Sequence, residues 1–141
     1  MPPGILNPIP EGITGRGAKT VRAVYDFAVD GGAVGTIPLL GSTDIPNGAL
    51  VMGGYMEVHT IVAGAGATAA VQCQAANDII SAAAVSGAPW STTGLKAVVP
   101  LYTATTMIRL TAARDISLVI TAAVLTAGRF SVVLFYQDPL V

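Results

Sequence analysis

Apolar and polar residues alternate along most of this chain after residue 17, the period of strands with one buried face. From Lys19 to Ala28 the positions Val21, Ala23, Tyr25 and Phe27 share a face, and Asp30-Gly31-Gly32 then supplies a turn. A short run, Val34 to Leu39, is crossed by Pro38, which suits the edge of a sheet. Gly41 to Gly48 reads as loop. The longest predicted strand is Leu50 to Val62. Leu50, Met52, Met56 and Val58 share its apolar parity, and Gly53-Gly54 predicts a bulge or bend within it.

Thr68 to Ala75 places Ala69, Val71 and Cys73 on one face. Asn77 to Val85 fits either a short helical turn capped by Asn77 or a further strand. Lys96 to Tyr102 is a short strand crossed by Pro100. The three clearest strands close the chain: Thr106 to Ala112, Ile116 to Ala123 and Arg129 to Gln137. In the last, Phe130, Val132, Leu134 and Tyr136 face one way and Ser131, Val133, Phe135 and Gln137 the other, so both faces are expected to be covered. About eight short strands with regular turns predict an all-β fold, an antiparallel β-sandwich of jelly-roll-like form.

Residues 1–17 break this pattern. Four of the nine prolines lie in the first ten residues, which excludes helix and disfavours a central strand. Yet Ile5, Leu6, Ile9 and Ile13 are apolar. The segment reads as an extended arm that lies on a partner, with Pro2, Pro3, Ile5, Leu6, Pro8, Ile9 and Pro10 as its contact residues. Residues 18–141 form the single sandwich domain. The chain opens with no basic segment and no continuous apolar run, so no signal peptide is expected. Its best apolar stretch, Ile61 to Val71, is too short to span a membrane.

Composition changes the picture more than any motif. Only 11% of the 141 residues are charged, against about 25% in ordinary soluble chains. Between Leu50 and Pro100 the charged residues are Glu57, Asp78 and Lys96 alone. A surface so sparsely charged is poorly protected from association, and a symmetric homo-oligomer would cover it in every copy. The net charge of −1 and the 6% aromatic content argue against nucleic acid as a partner.

Candidate chemistry is thin. His59, the one histidine, has no nucleophile motif around it. Gly64-Ala65-Gly66-Ala67-Thr68 lacks the Gly-Lys-Ser/Thr of a phosphate loop and reads as a hairpin turn. Asp26, Asp30 and Asp44 lack the spacing of a calcium loop, and Cys73, the one cysteine, reads as a buried thiol. No catalytic, metal or cofactor site is expected, and the chain reads as a non-enzyme. Trp90, after Pro89, is either a partner anchor or a plug at one end of the sandwich. Arg109, Arg114 and Arg129 either pair with acids of a neighbouring subunit or keep the surface wet.

Three stretches carry a resemblance: VYDFAVDGGAVG (Val24 to Gly35), AANDIISAAAVSGAPWSTTG (Ala75 to Gly94) and LTAGRFSVVLFY (Leu125 to Tyr136). Together they resemble the small virion structural proteins of tailed bacteriophages, of the capsid decoration or cement type. The resemblance implies a homotrimer on the outer surface of the capsid, made in the host cytoplasm and stapling neighbouring subunits of the major capsid protein. It points to no individual contact residue. Other readings are a tail-tube, connector or head-fibre subunit, or a carbohydrate-binding module for host attachment.

Overall fold

The alternation that starts at Lys19 becomes strand β1 (Lys19–Asp26), with Val21, Ala23 and Tyr25 turned inward and buried. The strand ends sooner than the alternation predicted because Asp26 caps a helical turn, α1 (Phe27–Asp30). The Asp26 carboxylate accepts from the amide of Ala28 and the Asp30 carboxylate accepts from the amide of Asp26, each at 3.0 Å. The computed structural model describes residues 18–39 and 45–138, so the arm predicted for residues 1–17 lies outside the described residues.

Eight further strands follow: β2 (Gly35–Pro38), β3 (Leu50–Ala63), β4 (Thr68–Gln72), β5 (Ile80–Ala84), β6 (Gly94–Ala97), β7 (Ile108–Arg109), β8 (Ser117–Thr121) and β9 (Ala127–Gln137). They form two antiparallel sheets, in the orders β1-β9-β3-β6 and β2-β8-β4-β5, with β7 added beside β3. Apart from β7, the chain crosses repeatedly from one sheet to the other. This is the predicted jelly-roll-like sandwich. Pro38 sits on an edge strand, as its missing amide requires.

The core lies between the sheets. From the first sheet come Tyr25, Val51, Met56, Phe130, Val132 and Leu134, and from the second Ala69, Val71, Leu118 and Ile120, all fully buried. Tyr25, Phe130 and Trp90 form an aromatic chain, with ring centroids 5.3 and 5.4 Å apart. The Tyr25 hydroxyl donates to the carbonyl of Gly31 at 2.7 Å. Burial, with Asp30 and Asp26 nearby, pushes that hydroxyl's pKa up to about 12.

Two sequence expectations need correcting, and one open alternative is resolved. In β3 the register slips between Val51 and Gly53, where the glycine pair predicted a bulge. The extra residue switches parity, so Val51 joins Met56 and Val58 in the core while Leu50 and Met52 are only half-buried. Asn77 caps no helix. It adopts φ 65°, its side-chain oxygen accepts from Ala82, and the chain runs on as β5. The strands expected over 96–102 and 106–112 shrink to β6 and β7. The first pairing ends at Ala97, after which the Val99 amide donates to the Ile79 carbonyl, and a Thr103–Thr106 turn intervenes before the second.

Strand directions give the sandwich two unlike ends. At one end lie the start of β1, the start of β3 and the finish of β9. Lys19 and Asp138 pair there at 2.5 Å, which raises the lysine's pKa. The Gln74 side chain accepts from the Thr111 amide and donates to the Arg109 carbonyl, and Arg109 donates to the carbonyl of Gly48. At the other end, Ala63 meets Ala127, and Val34, Ile61 and Val124 stand exposed.

Candidate interaction surfaces

The residues expected to carry contacts fall into two groups. Pro2, Pro3, Ile5, Leu6, Pro8, Ile9 and Pro10 lie outside the described residues. Trp90 is fully buried, and of its two readings the structure adopts the plug. Its ring packs on Phe130 and its carbonyl accepts from the amide of Val62. In this chain the indole offers no surface to a partner. The sequence could not separate the two readings, because a tryptophan in a loop serves either one.

The candidate chemical groups stay apart. His59 Nε2 lies 3.2 Å from Ser131 Oγ, across the β3–β9 pair. Ser131 is buried in mid-strand, and among the described residues no carboxylate is hydrogen-bonded to His59. Sequence reasoning missed this pair because 72 positions separate the two residues. The contact satisfies a buried hydroxyl. Cys73 is buried, and desolvation followed by the charge of Asp78 pushes its thiol up to about 12. Asp78 is occupied as a turn acceptor: its carboxylate takes the amides of Cys73, Gln74 and Ala75 at 2.7–2.8 Å. Among the described residues no three His, Cys, Asp or Glu gather as metal ligands.

Charge is divided unequally between the two sheets. β1, β3, β6, β7 and β9 hold Lys19, Arg22, Asp26, Glu57, Lys96, Arg109 and Arg129. β2, β4, β5 and β8 hold no charged residue at all. Inward-facing Ile37, Leu118 and Val71 fix the register, so Thr36, Val119 and Ala70 form one row on the opposite face, exposed at Thr36, half-buried at Val119 and buried at Ala70, and Pro38, Ser117 and Gln72 share that face. These side chains are short, and nothing on the strands themselves repels a close neighbour.

The outer face of the first sheet has a different character. Tyr55 and Phe135 approach with centroids 6.2 Å apart, and Tyr102 stands against Gly53 at 58% exposure. Arg22 and Tyr55 flank Val133 from the two neighbouring strands. Of the arginines singled out in the sequence, Arg129 reaches Asp26 of its own chain at 4.0 Å. Arg114 lies 3.5 Å from the Thr111 hydroxyl.

This fold recurs in two phage capsids. A chain in the capsid asymmetric unit of cyanophage Pam1 superposes with a TM-score of 0.60 at 18% identity, over 89% of this chain and 87% of that one. A chain in the acid-stable capsid of Helicobacter pylori bacteriophage KHP30 also gives 0.60, at 12% identity, over 87% and 89%. No protein-family model and no curated protein matches the chain. At these identities the likeness is one of fold. The surfaces described above carry uncharged strands on one sheet and the exposed rings of Tyr55 and Tyr102 on the other.

Proposed function

We propose that this chain is a non-enzymatic structural subunit of a phage virion. As a homo-oligomer, a trimer, it binds the outer surface of the capsid and cements neighbouring subunits of the major capsid protein. The observation that carries this reading is the uncharged second sheet, on a fold shared with chains of two phage capsids. A face of this kind buries little polar surface when covered, so association loses little solvation of charge. Binding only the assembled shell stabilises that shell by mass action. Several contacts held in one oligomer raise the effective concentration of each.

The test is direct. The purified chain is weighed by light scattering, then added to shells that lack it and imaged with and without the addition. A trimer that appears as extra density outside the shell supports the reading. A hexameric ring that leaves shells bare would instead favour a tail-tube or connector subunit. In the same assay Thr36→Lys, at an exposed position of edge strand β2, should leave folding intact and abolish shell attachment.

One observation favours a second reading, a carbohydrate-binding role in host attachment. Tyr55, Phe135 and Tyr102 collect on one face, where the sequence had offered scattered aromatics. A glycan screen in which binding disappears with Tyr102→Ala would shift the assignment to it.

A further inference from the structure

At the apolar end of the sandwich a groove of about 330 Å³ opens between the β3–β4 turn and the loop after β5. Ile61, Ala63, Ala65 and Val85 line it, with Ser86 and Ser91 as its polar members, and no charged residue takes part. Ile61 is 45% exposed, although it is a large aliphatic side chain. Val62, in the floor, is tied by its amide to the Trp90 carbonyl, so the fully buried tryptophan backs the groove. This is a preformed apolar site with nothing in it from the described chain.

The chain itself holds a segment of matching chemistry. Ile5-Leu6-Asn7-Pro8-Ile9 is uncharged and apolar except at Asn7, and Pro8 disfavours helical geometry for itself and for Asn7. Such a segment loses little conformational freedom on docking. Its point of departure is also fixed. The described chain starts at Ala18, beside Lys19, at the charged end of the sandwich, whereas the groove lies at the other end.

We infer that the groove receives residues 5–9 of a second copy of this chain, so that copies join head to tail. This deepens the proposed function and rests on its homo-oligomer. Geometry favours the second copy. Ile9 reaches at most about 30 Å from Ala18. The run along β9 from Tyr136 to Ala127 already takes roughly that length, before the groove itself is crossed. A neighbour placed head to tail brings its groove to the arm's point of exit. Each copy then gives one arm and accepts one. Such a heterologous contact leaves no unused partner when it closes into a ring.

The experiment uses the full chain, a chain lacking residues 2–13, and two groove variants, Ile61→Glu and Ala65→Arg, each weighed by light scattering after circular dichroism confirms folding. Ala65 is an exposed turn residue, so that variant stays informative if Ile61→Glu unfolds. The full chain should form a closed oligomer and each variant alone a monomer. A mixture of the arm-deleted chain with a groove variant should form only a one-to-one dimer, because one good arm meets one good groove. A synthetic peptide of residues 1–17 should bind the arm-deleted chain and lose about tenfold or more in affinity for its Ala65→Arg form.

The inference is overturned if groove variants keep the full oligomeric mass. It is equally overturned if the mixture stays monomeric while the peptide binds, which would mean that each arm serves its own copy. If arm deletion weakens shell attachment without changing mass, the arm belongs to the shell, and the proposed function stands without this inference. If the ring depends on arm and groove but never attaches to shells, the inference stands and the proposed function falls.

Discussion

The ring of Tyr102 occupies the space that a β-carbon on Gly53 would need. Tyr102 is held there by its amide, which donates to the carbonyl of Met52 at 2.8 Å, and it adopts φ 62°. Gly53→Ala should displace the exposed ring at a cost below about 1.5 kcal/mol, because a surface side chain can turn away. Gly54→Ala meets the backbone oxygen of Val133 in the middle of the first sheet, which has no such freedom. It should cost about 3 kcal/mol or more. Urea denaturation of the two variants checks the difference, and equal losses would contradict it.

Trp90 gives a spectroscopic test of the core. Its emission in the folded chain should be blue-shifted and resistant to acrylamide, and both properties should vanish on unfolding. Trp90→Ala should cost about 3–5 kcal/mol through the cavity it opens beside Phe130. Trp90→Phe should cost much less. Among the described residues the buried Trp90 indole N–H has no hydrogen-bond partner, and phenylalanine removes that N–H and the roughly 1–3 kcal/mol of its desolvation. Ready quenching of the folded chain would place the tryptophan at the surface.

Asp78 holds the turn between β4 and β5 by accepting three backbone amides. Asp78→Ala leaves these donors without their acceptor and should cost about 2–4 kcal/mol. Asp78→Asn keeps one oxygen and should recover about half of that loss. Thermal or chemical melts of the pair measure it, and a neutral Asp78→Ala would show that water replaces the carboxylate freely.

Alkali should loosen the fold through Cys73 and Tyr25. Tyr25 and Cys73 both have folded pKa values raised to about 12, from ordinary values of 10.0 and 9.0. Between those limits the unfolded chain gives up protons that the folded chain retains. Stability therefore falls as pH rises, from about pH 9 onward and more steeply above pH 10. Tyr25→Phe should flatten the upper part of the profile and Cys73→Ser the lower part. Denaturation midpoints between pH 8 and 11 provide the readout, and a flat profile in the unaltered chain would oppose the prediction.

The sequence made strands legible wherever alternation ran uninterrupted. In β9 the buried set Phe130, Val132 and Leu134 follows from parity alone, and the covered opposite face shows in Val133. In β3 the glycine pair marked the bulge, but parity could not say that Val51 and not Leu50 enters the core. That depends on which side of the slip each residue falls. Asn77 was ambiguous because the same side-chain oxygen that caps helices also closes turns. The division of strands between sheets, and with it the division of charge, is a long-range property that no local window contains. The apolar groove was invisible for the same reason: Ile61, Val85 and Ser91 meet only after the sheets have paired.

The place of β9 in the first sheet has a consequence for how the protein is made. β9 is the last of the described strands, and it lies between β1 and β3, which are among the earlier ones. A nascent chain emerging from the ribosome can hold β1 and β3 for most of synthesis without the strand that both must pair with. Pairings this distant in sequence form slowly, and waiting edges are open to wrong partners. Messages cut short before the codon for Ala127 should therefore yield insoluble fragments. The first sheet should close in a single late step, once β9 has left the ribosome.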